Sequence, residues 1–191
     1  HKRAKQHCNS LTDSISDYFF TTSTSANENL IKAGVLREHI FFVGNTMIDT
    51  LLKFESQFRE PKLWKELNLM QKKYIVLTLH RPANVDDIQH LKTLIEYIDR
   101  NVQNTPIIFP LHPRTALVLK QAGLTTQNLN IVGPLGYLEF NFLVKKSMAV
   151  ITDSGGISEE TTVLNIPCLT VRSHTERPET VEQGTNMLVG R

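Results

Sequence analysis

Tyr74-Ile75-Val76-Leu77-Thr78-Leu79-His80-Arg81-Pro82-Ala83-Asn84-Val85-Asp86-Asp87 reads as a short β-rich apolar run that ends in a polar turn and opens onto a helix. From Tyr74 onward the alternation repeats. Strands are predicted at 74–79, 106–110, 129–132, 148–152 and 167–171, separated by helices at about 86–103, 113–122, 137–146 and 156–164. A last apolar turn falls at Met187 to Val189. Short apolar strands alternating with helical stretches give an α/β class, a Rossmann-like parallel sheet with helices on both faces. No internal repeat or low-complexity tract interrupts it.

Upstream of Tyr74 the pattern is looser. Ser25-Ala26-Asn27-Glu28 is a capping box ahead of Leu30 and Ile31, and Gly34 sits where that helix would stop. A short strand is predicted over Ile40 to Val43, after which Met47, Ile48, Leu51, Leu52 and Phe54 fall at helical spacing. Pro61 and the polar stretch around it break the pattern. A hinge or boundary is therefore expected near 44–72, with 46–72 as linker helices and 73–191 as the α/β domain.

The composition excludes several classes. The 191 residues are 40% hydrophobic and 21% charged with a net charge of +2, an ordinary globular balance. A chain of this length buries roughly 70% of its unfolded surface, so its core needs no disulfide or metal staple. Its longest apolar runs fall far short of the ~20 residues that cross a bilayer, so no membrane span is expected. Mixed charge gives no footprint for nucleic acid; Lys2, Arg3 and Lys5 read as a solvated end. Cys8 and Cys168 form no framework and lack metal-ligand spacing, which fits a reducing compartment. Position 1 is His rather than Met and no signal peptide follows, so the chain is expected to begin inside a longer protein.

The polar groups able to do chemistry fall at one edge. His80 and Arg81, His112, Asp153 and Ser154, and Arg172 each follow a predicted strand. In an open parallel sheet that carboxyl edge is where loops converge and ligands bind. Thr152-Asp153-Ser154-Gly155-Gly156-Ile157-Ser158-Glu159-Glu160 is the most informative segment. Two glycines at a strand-to-helix turn let a ligand approach the backbone, and the free amides and helix dipole favour an anion such as phosphate. Glu160, one turn on, can accept two hydrogen bonds from the vicinal hydroxyls of a ribose. Phosphate followed by ribose means a nucleotide. The same residues also fit plain capping by Ser154, with Glu159 and Glu160 complementing the helix dipole. Neither a Walker loop nor a GxGxxG fingerprint is present.

His80 beside Arg81 suits a diphosphate, the arginine with forked donors and the histidine with a proton-dependent one, although a hydrogen-bonded turn histidine reads equally well. Leu111-His112-Pro113-Arg114 is weaker and fits a helix start. Arg172 and Thr175-Glu176-Arg177-Pro178-Glu179 bring two arginines to the same edge, where surface salt bridges are the plainer alternative.

Taken together and in order, the segments resemble one family. Gly44-Asn45-Thr46-Met47-Ile48-Asp49, His80-Arg81 with Asn84, His112-Pro113, Thr152 to Glu160, and Thr175 to Glu179 with Gly184 and Leu188-Val189-Gly190 are similar to the motif set of UDP-N-acetylglucosamine 2-epimerases. Asn9 to Asp17 followed by Tyr18 to Leu30 resembles the family's domain-crossing region. The family's His-Arg-Arg-Glu-Asn stands here as His80-Arg81-Pro82-Ala83-Asn84. Lys5-Gln6-His7-Cys8 stands where the family carries a further acid.

The resemblance implies the C-terminal half of a GT-B type two-domain fold, in which residues 1–45 are a remnant of, and crossover from, the N-terminal domain. It implies that Ser154, Gly155 and Gly156 bind the diphosphate of UDP, Glu160 the ribose and Arg177 the phosphate side, with Phe140 of Tyr137-Leu138-Glu139-Phe140 beside the uracil. His80 would be the active-site histidine. Arg81 and His112 match positions that help hold a second, activating nucleotide sugar in bacterial members. The implied reaction interconverts UDP-N-acetylglucosamine and UDP-N-acetylmannosamine through elimination and re-addition of UDP, with no metal and no nicotinamide cofactor. A hydrolysing epimerase that releases free N-acetylmannosamine, a GT-B glycosyltransferase and an inactive UDP-sugar-binding protein are the rivals. The resemblance further implies a cytoplasmic homodimer serving cell-envelope polysaccharide synthesis, and a fragment inactive alone because the catalytic acids lie on the N-terminal domain.

Overall fold

The computed structural model describes residues 12–190. Cys8, the Lys2, Arg3 and Lys5 cluster, and Asn9 to Leu11 lie outside the described residues. Two compact units meet between Asp49 and Thr50.

The first unit contains β1 (Phe19–Thr21), α1 (Thr24–Lys32), a 3-10 turn (Arg37–His39) and β2 (Ile40–Phe42). β1 and β2 pair in parallel, with Phe19 opposite Ile40. The predicted capping box is displaced by two residues. Ser23, in extended backbone, caps α1 and accepts from the Ala26 amide at 3.3 Å, whereas Ser25 lies inside the helix. The Thr21 hydroxyl bonds Asn27 Oδ1 and ties strand to helix. Gly34, at a φ of 92°, ends the helix where the sequence indicates, because a left-handed residue there costs a glycine nothing.

α2 (Thr46–Phe54) contains the division between the units. The second unit continues with a 3-10 turn (Glu55–Gln57), α3 (Lys62–Glu66), β3 (Ile75–Thr78), α4 (Pro82–Val85), α5 (Ile88–Asn101), β4 (Ile107–Pro110) and α6 (Pro113–Gln121). It closes with β5 (Leu129–Val132), α7 (Tyr137–Lys146), β6 (Ala149–Thr152), α8 (Gly155–Val163), β7 (Cys168–Thr170), α9 (Glu179–Glu182) and β8 (Asn186–Leu188). The six strands pair in parallel in the order β5-β4-β3-β6-β7-β8. The expected parallel sheet with helices on both faces is therefore present.

Alternation along β3 fills two cores. Ile75, Leu77 and Leu79 face Leu91, Ile95 and Ile98 of α5 and Leu119 of α6. Tyr74 and Val76 face the other way, onto Leu143 and Val144 of α7 and onto Leu63, Leu69 and Ile166. Burial on both faces is why the parallel strands read as continuous apolar runs. The stretch set apart as linker helices contributes to that second core. Leu63 and Leu69 are buried in it, and Trp64 packs edge-on to Tyr74 and Phe142 at 5.7 and 5.3 Å.

Two further elements differ from expectation. The helix expected from 86 is split: Pro82 starts the one-turn α4, and Asp87 then caps α5 by accepting from the Gln89 and His90 amides at 2.9 and 3.1 Å. The apolar turn at 187–189 contributes to an edge strand, β8, held by pairing with β7. Three residues are too few for their own periodicity to show this.

Gly184 lies between α9 and β8, where an added Cβ would sit 2.5 Å from the Thr180 carbonyl oxygen and 2.7 Å from Thr162 Cγ2. Backbone cannot yield at that distance. Gly184→Ala is expected to destabilise the protein by about 1–3 kcal/mol. Urea unfolding should show a lower midpoint, and an unchanged midpoint would mean that the turn opens freely.

Candidate functional site

The strand order reverses between β3 and β6: β4 and β5 extend one way, β7 and β8 the other. At such a switch point the loops leaving the two central strands diverge and open a crevice at the carboxyl edge. His80 follows β3 and Asp153 follows β6. The structure joins them directly.

Asp153 is 0% exposed and is the hub of the site. Its Oδ2 accepts from the Arg81 amide at 2.9 Å, Asn84 Nδ2 at 3.0 Å and the His80 amide at 3.1 Å. Its Oδ1 accepts from the His80 amide at 3.1 Å and lies 2.8 Å from His80 Nδ1. The Arg81 Nε–H donates to the Asp153 carbonyl at 2.8 Å. A buried carboxylate is tolerated only when so bonded, and this one locks the loop after β3 to the end of β6. Facing a carboxylate, Nδ1 carries a proton, which leaves Nε2 as the ring's working atom: an acceptor when neutral, a donor in the imidazolium. The ring itself is exposed, so Nε2 is available to a ligand.

The turn into α8 follows at once. Thr152 Oγ1, paired with Thr78 Oγ1 at 2.7 Å, accepts from the Ser154 amide at 3.0 Å. Ser154 caps α8 by accepting from the Ile157 amide at 3.4 Å, and its own hydroxyl proton can still donate to a ligand. Capping and ligand binding are thus compatible. The amides of Gly155 and Gly156 open the helix and have no acceptor within it. They form the positive end of its dipole.

One turn on, Glu160 is only 6% exposed, and the Tyr137 hydroxyl donates to its Oε1 at 3.3 Å. Burial pushes the Glu160 carboxyl up from the usual range; the Tyr137 bond opposes this and the neighbouring Glu159 charge adds to it. Tyr137 is pushed up to about 12 by burial, with the charge and hydrogen bond of Glu160 contributing. Phe140, on the same helix as Tyr137, is half-buried against the second core. Glu159 faces the other way and lies 3.0 Å from Arg177 Nε.

The structure therefore groups His80, Arg81 and Ser154 around Asp153, with Glu160 beside Tyr137 further along α8. His112 follows β4, one strand further from the switch point. Three members were not assigned site roles from the sequence. Asp153 lay at the right edge, but only the folded loop shows its role as an acceptor. Asn84 is 2% exposed and Arg172 is 5% exposed, a burial that nothing in their local sequence signals. Among the described residues, no three His, Cys, Asp or Glu side chains gather where they could hold one metal ion, and no helix is long and apolar enough to cross a membrane.

The strand order, the glycine turn and the polar groups at the switch point define a doubly wound, Rossmann-like domain that takes its ligand at the sheet's carboxyl edge. The family described as UDP-N-acetylglucosamine 2-epimerase matches residues 8–191. The UDP-N-acetylglucosamine 2-epimerase of Methanocaldococcus jannaschii is 40% identical over 190 residues, covering 94% of this chain and 52% of its own. The crystal structure of the enzyme from that organism, in complex with UDP-GlcNAc and UDP, is similar with a TM-score of 0.80 at 40% identity, covering 94% of this chain and 52% of its own. A Pseudomonas aeruginosa UDP-2,3-diacetamido-2,3-dideoxy-D-glucuronate 2-epimerase is 37% identical over 184 residues, covering 94% of this chain and 50% of its own. The chain belongs to the UDP-N-acetylglucosamine 2-epimerase family. It spans about half the length of the relatives it matches, and its fold is half of a GT-B type architecture.

Proposed function

We propose that this chain is the nucleotide-binding part of a UDP-N-acetylglucosamine 2-epimerase. The observation that carries the reading is the grouping at the switch point: an imidazole held by a buried carboxylate beside an anion-binding helix start, with a second buried carboxylate one turn beyond. Ser154, Gly155 and Gly156 hold the diphosphate, Glu160 the ribose hydroxyls, Arg177 the phosphate side, and Phe140 lies beside the uracil. Arg81 and His112 belong to a second nucleotide-sugar site. Residues up to about 45 form the crossover from an N-terminal domain that brings the catalytic acids. A cytoplasmic homodimer goes with the family resemblance.

In this reading the C2 proton passes to a base on the other domain and its electron pair forms the C1–C2 double bond. The C1–O bond breaks and UDP departs, leaving the 2-acetamidoglucal. Charge grows on the departing diphosphate, where the α8 amides and a His80 imidazolium donate, so both stabilise the transition state more than the ground state. Re-addition of UDP after protonation at the opposite face of C2 completes the epimerisation. Incubating the full-length protein with UDP-N-acetylglucosamine and no acceptor separates the rivals. Epimerisation gives UDP-N-acetylmannosamine, hydrolysis gives free sugar, and a transferase or binding protein leaves the substrate intact. The Pseudomonas relative favours a second reading, the same nucleotide half serving a different UDP-sugar. Turnover of UDP-2,3-diacetamido-2,3-dideoxy-glucuronate in place of UDP-N-acetylglucosamine would establish it.

Glu160 gives a prediction with two signs. Its carboxyl titrates higher folded than unfolded, chiefly through burial. The folded state therefore holds the proton more tightly, and stability falls as pH rises from the ordinary glutamate range through the raised value. At neutral pH, above the ordinary glutamate range, the Glu160 carboxyl therefore destabilises the empty protein. Glu160→Gln is expected to raise the melting temperature of the ligand-free protein at pH 7 while weakening UDP on the order of tenfold or more, since charge-assisted bonds to the ribose are lost. Thermal melts with calorimetry read both. Unchanged UDP affinity would remove the ribose assignment.

A further inference from the structure

Arg172 is 5% exposed, yet its Nη1 is buried with no hydrogen-bond partner. A guanidinium in that state is costly unless something completes it. Its Nη2 reaches Glu176 at 3.3 Å, but that carboxylate is two-thirds exposed, so solvent screens its charge. Nη1 lies 3.7 Å from the point where a Cβ on Gly155 would stand, at the first residue of α8. Arg177, in contrast, has Nε on Glu159 at 3.0 Å.

We propose that Arg172 is the cationic floor of the diphosphate site, the group whose charge the ligand's phosphates complete. The inference rests on the nucleotide reading and deepens it, because it moves the main guanidinium contribution from Arg177 to Arg172. A diphosphate seated on the Gly155 and Gly156 amides supplies the counter-charge that Glu176 gives only in part. Field from the helix start and from Arg172 add at the same place, in a region sealed from water on the protein side.

The test compares UDP with uridine on the full-length protein, by calorimetry for UDP and NMR shift titration for uridine. Arg172→Gln is expected to weaken UDP on the order of tenfold or more while leaving uridine affinity unchanged. Arg172→Lys should fall between it and the wild type. If Arg172→Gln does not fold, Glu176→Gln carries the test on a surface position: UDP should bind more tightly, because a competing carboxylate has gone, with uridine again unchanged. Equal losses for UDP and uridine, or no loss for either, would make Arg172 a packing residue and overturn the proposal. A wild type that binds uridine but gains nothing from the diphosphate would overturn it also. One that binds neither would instead sink the nucleotide reading on which it rests.

Discussion

Asp153→Asn in the full-length protein is expected to lower kcat by ~10² to 10⁴ with a smaller change in UDP affinity. Asp153 touches no substrate in this account; it is a positioning residue that acts through His80. The carboxylate fixes the ring through Nδ1 at 2.8 Å and orients the loop through the His80 and Arg81 amides. An asparagine keeps the volume but turns an N–H donor toward groups that already donate. Asp153→Ala removes both carboxylate acceptors at once and keeps only the backbone carbonyl that Arg81 Nε reaches. It orphans the His80 and Arg81 amides and leaves Asn84 Nδ2 only its longer bond to the Val171 carbonyl at 3.4 Å; a buried group left without a partner costs about 1–3 kcal/mol, so stability should also fall by a few kcal/mol. Steady-state kinetics and urea unfolding separate the two effects. Wild-type kcat in Asp153→Asn would mean that the web holds the loop and nothing more.

His80→Ala is expected to lower kcat by a similar ~10² to 10⁴, again with little change in UDP affinity. The two predictions constrain each other. If Asp153 works through His80, the double variant Asp153→Asn/His80→Ala should be no slower than His80→Ala alone, because coupled residues are not additive. Multiplied losses would show that Asp153 has a separate role. A His80→Ala protein with raised KM and unchanged kcat would make His80 a uniform binding group, and its catalytic assignment would fall.

The sheet was legible because β3, β4, β6 and β7 are buried on both faces, and burial on both faces writes itself as apolar runs. β1 and β8 have three residues each and owe their form to a neighbour, Phe19 opposite Ile40 and Cys168 opposite Asn186, so no local pattern announced them. Ser23 and Ser25 are equivalent as candidate caps in sequence; the extended backbone at Ser23 decides between them. The linker reading of 46–72 followed from Pro61 and the polar residues around it, whereas Leu63, Trp64 and Leu69 are placed by a tertiary contact with Tyr74 and Phe142.

At the site, residue types at the carboxyl edge were legible and their partners were not. Glu160 was read as a carboxylate placed for a ligand, but its Tyr137 neighbour comes from another helix. Arg172 and Arg177 look alike in sequence. Burial separates them, one buried beside Gly155 and the other half-buried on Glu159. Sequence spacing reports which groups reach an edge; which of them meet is set by the β3–β6 register that brings Thr78 opposite Thr152.

The proposed function of this half-site is to serve a UDP-sugar 2-epimerisation. Proton NMR of the full-length protein with UDP-N-acetylglucosamine in deuterated water tests it most directly. The C2 proton signal is expected to disappear as UDP-N-acetylmannosamine, deuterated at C2, grows to equilibrium with its partner, and no free N-acetylmannosamine is expected to form. Retention of the C2 proton in unconverted UDP-N-acetylglucosamine would contradict it, and so would release of the free sugar with stoichiometric UDP.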